Sequence, residues 1–276
     1  MSEKIKVAII GCGAIANSAH IPAYMKNEKA EIKYFCDIIP ERADAAVEKY
    51  GCGKAVYDYH EILDDPELDS VSVCTHNDLH SVIAIDFMRA GKDVLSEKPA
   101  ARVLSEALEM QRVSHETDRI LSIGVCNRFG NAVNHIKELI DAGELGEVYH
   151  VYASFRANRS IPGIVRTDGP TITFNGAWAE NIGEDETYID FIGDKAGIRL
   201  EYGEGFVIYS VKNGMLMRSE PKFRTNNFYE AEINSFVDCV INHEHNRADI
   251  DLAIGTSKIM QAIYDSSELH REVVID

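Results

Sequence analysis

The apolar run Lys6-Val7-Ala8-Ile9-Ile10 ends directly in Gly11-Cys12-Gly13-Ala14-Ile15-Ala16, and no other feature of the 276 residues constrains the fold as tightly. A β-branched run that stops at two closely spaced glycines and resumes with helical spacing reads as strand, tight turn and helix. Gly11 suits the turn, and Gly13 leaves the backbone open to a bulky group. Ala16 is small enough for the helix to pack closely on the strand, and the helix N-terminus offers free amides and partial positive charge to a phosphate. A second apolar run, Ile32–Cys36, ends in Asp37, 21 residues after Ala16. A carboxylate there accepts hydrogen bonds from the ribose hydroxyls of a dinucleotide. The expected cofactor contacts are Gly11, Gly13, Ala14, Ile15, Ala16 and Asp37. Ile38-Ile39-Pro40 separate Asp37 from Arg42, so a 2′-phosphate would meet negative charge first, and NAD is expected over NADP.

The first 125 residues continue in this manner. Short apolar runs at Ala55–Tyr57, Val71–Thr75, Val94–Ser96 and Ile120–Ile123 alternate with helical spacing such as Val82, Ile85, Phe87 and Met88. This alternation predicts an α/β Rossmann domain, a doubly wound parallel sheet, over residues 1–124. After Gly124 the texture changes. A helix over Asn131–Asp141 with Val133, Ile136, Leu139 and Ile140 on one face stops at Gly143. Strands follow over Val148–Phe155, Thr171–Trp178, Thr187–Ile192, Ile198–Tyr202 and Phe206–Val211, separated by glycine turns. Two helices, Phe228–Val240 and Ile250–Leu269, close the chain. Residues 125–276 are thus expected to form one α+β domain around an open-faced, mainly antiparallel sheet.

Hydrophobic residues make up 45% and charged residues 26%, which suits a globular chain rather than a disordered or membrane-spanning one. The net charge of −17 disfavours binding to nucleic acid or an anionic membrane surface. The run Val7–Ile10, broken at once by Gly11, is too short for a signal sequence, so a cytoplasmic protein is expected. The six cysteines form no Cys-x-x-Cys pair and read as buried thiols, with no metal site. Trp178 falls on an expected strand, where a core or interface role outweighs stacking on a sugar.

Three motifs in order, Gly11–Ala16 with His20 and Pro22, Thr75-His76-Asn77-Asp78-Leu79-His80, and Gly91-Lys92-Asp93-Val94-Leu95-Ser96-Glu97-Lys98-Pro99, resemble the glucose–fructose oxidoreductase and inositol dehydrogenase family. The resemblance runs through Asn127-Arg128 to residue 163 and resumes at Ile164. It implies an NAD-dependent oxidoreductase that moves hydride between nicotinamide and a ring hydroxyl carbon of a sugar, glycoside or inositol-like polyol. Oxidation of glycosides at the third ring carbon is one form of that chemistry. By the resemblance Lys98 is the catalytic lysine and a substrate contact, and Thr75, Asn77, His80 and Glu97 join it at the cofactor. Read without it, Asn77 is a helix N-cap and His80 one of a helical pair with His76. Asn127 and Arg128 follow the last parallel strand, where ligands gather. Arg128 is balanced there between a substrate or cofactor contact and a surface ion pair. The open-faced sheet, with one apolar face, implies a homo-oligomer, dimer or tetramer.

The resemblance also fails at one place. The family's Gly-Gly-x-x-x-Asp-x-Gly-x-His-x-x-Asp motif, whose Asp and His complete the active site, is absent. Arg159-Ser160-Ile161-Pro162-Gly163 leads directly into Ile164. On the order of 60–100 residues of a typical member are skipped, far beyond loop variation. Removing hydride from an alcohol also sheds a proton, so the missing residues are those a general base would come from. The expectation is an omitted segment at the Gly163–Ile164 junction. The alternative is a non-catalytic NAD- or sugar-binding sensor or partner subunit.

Overall fold

In the computed structural model, residues 4–159, 163–165, 171–179, 186–201 and 205–275 are described. The six apolar runs of the first part become β1 (Ile5–Ile10), β2 (Ala30–Cys36), β3 (Lys54–Val56), β4 (Ser70–Val73), β5 (Asp93–Glu97) and β6 (Leu121–Gly124). Between them lie α1 (Ile21–Lys26), α2 (Pro40–Tyr50), α3 (His80–Arg89) and α4 (Leu104–Thr117). All strand pairs are parallel, in the order β3-β2-β1-β4-β5-β6. The order reverses between β1 and β4, the switch point at which such sheets leave a crevice beyond their carboxyl ends. Successive residues of a strand point to opposite faces, and β1 shows what this does here. Ala8 and Ile10 join Ile83, Phe87 and Met110, whereas Val7 and Ile9 join Tyr24 and Phe35. Two separate cores, one on each face, are the physical meaning of the double winding.

The second unit consists of α5 (Asn131–Asp141), β7 (Val148–Arg159), β8 (Gly163–Val165), β9 (Thr171–Ala179), β10 (Glu186–Gly193), β11 (Ala196–Glu201), β12 (Gly205–Lys212) and β13 (Met215–Ser219). The sheet order is β13-β12-β11-β10-β7-β9-β8, antiparallel except for β7 beside β9. Helix α5 has the bounds expected of it. Its Val133, Ile136, Leu139 and Ile140 pack on Ile198, Leu200 and Phe206. The opposite face of the sheet is not the apolar surface expected. There Arg199 donates to both carboxylate oxygens of Asp190, at 2.7 and 2.6 Å, and lies over the Tyr188 ring at 4.1 Å. The apolar face is the one α5 covers. Strand β8 pairs Gly163, Ile164 and Val165 with Phe174, Thr173 and Ile172, so the chain passes through the Gly163–Ile164 junction within one strand. The side chain of Trp178 lies outside the described residues.

The chain then leaves this sheet for α6 (Phe228–Asn242) and α7 (Ile250–Leu269). Both return to the first unit, which comprises Met1–Phe129 and Asn227–Asp276, with Gly130–Asn226 as the second. The single boundary expected at 124/125 is therefore replaced by two. The reason is coverage of the parallel sheet. Ile233, Phe236, Val237 and Val240 of α6 complete the core that holds Val7, Ile9 and Leu95, and Ile250 and Ile254 of α7 join the other one. Among the described residues no helix is long and apolar enough to cross a membrane.

Candidate functional site

The glycine turn has two glycines with different physical duties. Gly11 sits at φ +94°, and a β-carbon there would lie 2.7 Å from the carbonyl oxygen of Cys74. It is excluded by backbone conformation and by the neighbouring strand end alike. Gly13 has a negative φ, and a β-carbon built on it meets nothing within 4 Å. Its lack of a side chain keeps space open rather than relieving a clash, which is what close approach of a pyrophosphate requires. Ala14 is exposed, Ile15 half-buried and Ala16 fully buried against the sheet, so of the three only Ala14 lies open to solvent. The Asp37 carboxylate accepts from the Cys12 amide and the Ile39 amide, each at 2.9 Å, which ties the turn to the end of β2. Two oxygens offer about four acceptor positions, so ribose hydroxyls can still be served. Burial, aided by the charge of Asp37, pushes the Cys12 thiol up to about 12, and no thiolate opposes phosphate at this turn. The turn therefore fits a dinucleotide.

Beyond the turn, Ala16–His20 adopt a π-helical segment, in which Ile21 donates to the carbonyl of Ala16. Such wide turns add a residue and rotate the next stretch of helix by roughly 100°. His20 is completely buried, with Nε2 3.0 Å from Glu97 Oε1 and Nδ1 3.1 Å from Ser72 Oγ. Tyr24 Oη lies 3.1 Å from the same Ser72 oxygen. A carboxylate only accepts, so His20 Nε2–H donates to Glu97, and the hydroxyls of Ser72 and Tyr24 extend the chain from Nδ1. Burial pushes the Tyr24 phenol up and keeps that proton in place. Glu97 Oε2 accepts the backbone amide of Lys98 at 3.1 Å. At Gly124 a β-carbon would stand 3.3 Å from both the Glu97 Cα and the Ser96 carbonyl oxygen, so β6 runs close against the end of β5 there. Glu97, expected at the cofactor, thus points into the core and fixes the residue after it. Lys98 is exposed, precedes a cis peptide to Pro99, and among the described residues its ammonium has no ion-pair partner.

His80 departs from expectation in the same way. It is 1% exposed, with Nδ1 2.8 Å from the carbonyl of Pro99 and Nε2 3.1 Å from that of Thr75. Its ring is occupied by backbone and is not free to line a groove. Asn77 is exposed in the turn before α3 and does not cap it; the N-cap is Leu79, which offers no side-chain acceptor. Asn127 and Arg128 lie on a single turn of 3₁₀ helix, Cys126–Phe129, directly after β6. Arg128 Nη1 donates to the carbonyl of Arg247 at 3.4 Å, a backbone contact rather than an ion pair.

Sequence reasoning missed Glu232. It is wholly buried on α6, and neither carboxyl oxygen has a hydrogen-bond partner among the described residues. Burial and the neighbouring Glu97 push it up to about 8, so it holds its proton at neutral pH. The available signal was positional: Glu232 occupies the stripe of Phe228 and Phe236, four residues away on either side, where α6 is otherwise apolar.

The model of the oxidoreductase family with an NAD-binding Rossmann fold matches residues 5–125. The chain is 31% identical to the D-glucoside 3-dehydrogenase of Escherichia coli (strain K12) over 59% of its own length and 46% of that protein's. It is 28% identical to the inositol 2-dehydrogenase of Salmonella typhimurium over 57% and 48%. The chain spans about half the length of the curated relatives it matches. Two solved structures share the fold at low identity. An oxidoreductase from Agrobacterium radiobacter, in complex with NAD+, L-tartaric acid and magnesium, has a TM-score of 0.82 at 19% identity, covering 99% of this chain and 98% of that one. A 3-ketoreductase from Actinomadura kijaniata, in complex with NADP and TDP-benzene, has a TM-score of 0.81 at 18% identity, covering 95% and 98%. Over residues 5–125, which hold the glycine turn and the Glu97-Lys98-Pro99 motif, the chain matches the oxidoreductase family with an NAD-binding Rossmann fold, and its curated relatives there are a glucoside and an inositol dehydrogenase.

Proposed function

We propose that the protein is an NAD-linked oxidoreductase that transfers hydride between nicotinamide and a ring hydroxyl carbon of a sugar, glycoside or inositol-like polyol. One observation carries this reading: an exposed lysine stands at the carboxyl end of β5, anchored through Glu97 before it and Pro99 after it. It belongs to the same unit as a glycine turn open to a pyrophosphate. A bound nicotinamide would supply the hydride acceptor or donor. In the direction of carbonyl reduction, Lys98 donates a hydrogen bond to the reacting oxygen and holds the negative charge that arriving hydride develops there, a task whose loss costs roughly 10²–10³ in kcat. The Asp37 carboxylate favours a free ribose over a 2′-phosphate, hence NAD over NADP. Asn127 and Arg128, after β6, contribute to the substrate side. The names of the relatives, a glucoside 3-dehydrogenase and an inositol 2-dehydrogenase, support a ring hydroxyl as the reacting group. We place the protein in the cytoplasm as a homo-oligomer.

A second reading, a cofactor- and sugar-binding protein without turnover, is favoured by one observation: the Asp and His motif is absent from the sequence. The two readings are separated by adding glucosides, free hexoses and inositols to the protein with NAD+ and following nicotinamide absorbance. Turnover that Lys98→Ala abolishes supports the enzyme. Tight NADH binding with no reduction by any of these compounds supports the sensor.

A further inference from the structure

We infer that Glu232 is a positioning residue for Lys98 and acts through Glu97, an inference that rests on the dehydrogenase reading only for its effect on turnover. The two carboxyl groups belong to one unit and have contrasting surroundings. Glu97 is served by two donors, His20 on one oxygen at 3.0 Å and the backbone amide of Lys98 on the other at 3.1 Å. Glu232 is completely buried on α6, and neither of its oxygens has a partner among the described residues. The titratable groups whose charges reach it are Glu97 at the end of β5, Cys74 after β4, Cys126 after β6, Tyr24 of α1 and Tyr229 one turn earlier on α6. None of them is a cation. Glu232 therefore lies within reach of the ends of β4, β5 and β6, three of the strands that border the crevice.

An apolar side chain would fill this stripe of α6 without the desolvation that an acid suffers there, and breaches of the burial rule gather at functional sites. What the acid adds is a proton that can leave. Of two adjoining buried carboxyl groups, the one without donors is the one that keeps a proton. Burial and Glu97 together push Glu232 up to about 8, so below that pH the pair carries no repulsion and Glu97 is free to hold the Lys98 amide. Above it, Glu232 is a second anion facing Glu97 in a closed site, with no donor of its own. Movement of Glu97 away from α6 relieves the repulsion between like charges, and every such movement strains the bonds that tie it to His20 and to the Lys98 amide. The direction in which Lys98 leaves the strand end thus follows a proton on α6. Glu232 acts through Glu97 and touches no reacting atom.

The coupling can be read without any activity. In proton–nitrogen correlation spectra of the ¹⁵N-labelled full chain, the Lys98 amide resonance will shift with a midpoint of about 8 in the wild type, and Glu232→Gln will remove that step. Burial pushes up the thiols and phenols around Glu232, so they do not supply it, and any step from His20 or from Lys98 itself persists in the variant. If the glutamine variant does not fold, Glu232→Leu, which completes the apolar stripe, takes its place. A Lys98 amide that shows no such step in the wild type, or the same step in the variant, overturns the coupling. Given turnover of a sugar by the wild type, the ratio of variant to wild-type kcat will rise about tenfold from pH 7 to pH 9, as the fraction of wild type with a protonated Glu232 falls to roughly one tenth, while the corresponding ratio of KM for NAD+ stays within about twofold. A constant ratio of kcat overturns the positioning role. A wild type without turnover refutes the dehydrogenase reading alone, and the amide titration still decides the coupling.

Discussion

Replacing Glu232 with glutamine tests the electrostatics of the site most directly. The acid is buried on α6, has no hydrogen-bond partner among the described residues, and is raised from 4.5 to about 8 by burial and by Glu97. The sign depends on which state holds the proton. The folded protein keeps it up to about pH 8, whereas the unfolded chain releases it near pH 4.5, so folding takes up a proton in between. The native state is therefore least penalised below pH 4.5 and loses stability as pH rises through 8. At 1.36 kcal/mol per pH unit over this window, the loss between pH 5 and pH 9 comes to about 4 kcal/mol. Glutamine has the shape of the neutral acid and does not titrate. Urea unfolding of wild type and Glu232→Gln, followed by far-ultraviolet circular dichroism across that pH range, will give near-equal stabilities at pH 5. The variant will gain by about 4 kcal/mol at pH 9. Apart from Glu97, which is coupled to Glu232, the other titrating groups are common to both proteins and cancel in the difference. Parallel stability curves, or a wild type that gains on the variant with rising pH, would refute the buried neutral acid.

The two glycines of the turn should separate folding from binding. Gly11→Ala meets a positive φ and the Cys74 carbonyl, and will cost about 1–3 kcal/mol in chemical unfolding. Gly13→Ala meets neither, and will fold within about 0.5 kcal/mol of wild type while binding NADH at least about tenfold more weakly by fluorescence titration. Asp37→Asn can keep the acceptor for the Cys12 amide, gives up the one for the Ile39 amide and removes the charge, so the ratio of NADPH to NADH affinity will rise by about tenfold or more. Lys98 is exposed, so Lys98→Ala will leave the unfolding midpoint unchanged while turnover falls by roughly 10²–10³.

The first domain was legible because its signals are local and periodic. β-Branched runs mark central strands, and a glycine turn between strand and helix leaves few alternatives. Strand β13 escaped notice because Met215-Leu216-Met217 carries no β-branched residue, and it lies at the sheet edge where neither face needs a strict alternation. The split of the first unit was illegible for a different reason. The apolar stripes of α6 and α7 state that each buries a face, and nothing in their spacing says which sheet receives it. The need of the parallel sheet for cover decided the matter, and that need exists only once the sheet has formed.

The same limit explains the site. The sequence presents Glu97-Lys98-Pro99 as one motif, and all three were expected to face the ligand or to stiffen the turn. A strand has a period of two, so neighbouring side chains leave it in opposite directions. Glu97, last residue of β5, turns into the core toward His20, and Lys98 turns out to solvent. The motif therefore works because its members diverge. Its acid spends one oxygen on a buried imidazole and the other on the lysine's amide, and its proline offers a carbonyl to a second imidazole. Those imidazoles stand 78 and 18 residues before Lys98 in the chain. No local spacing records the association, because it is the parallel order β1-β4-β5, with His20 and His80 on the helical segments after β1 and β4, that brings them to one strand end.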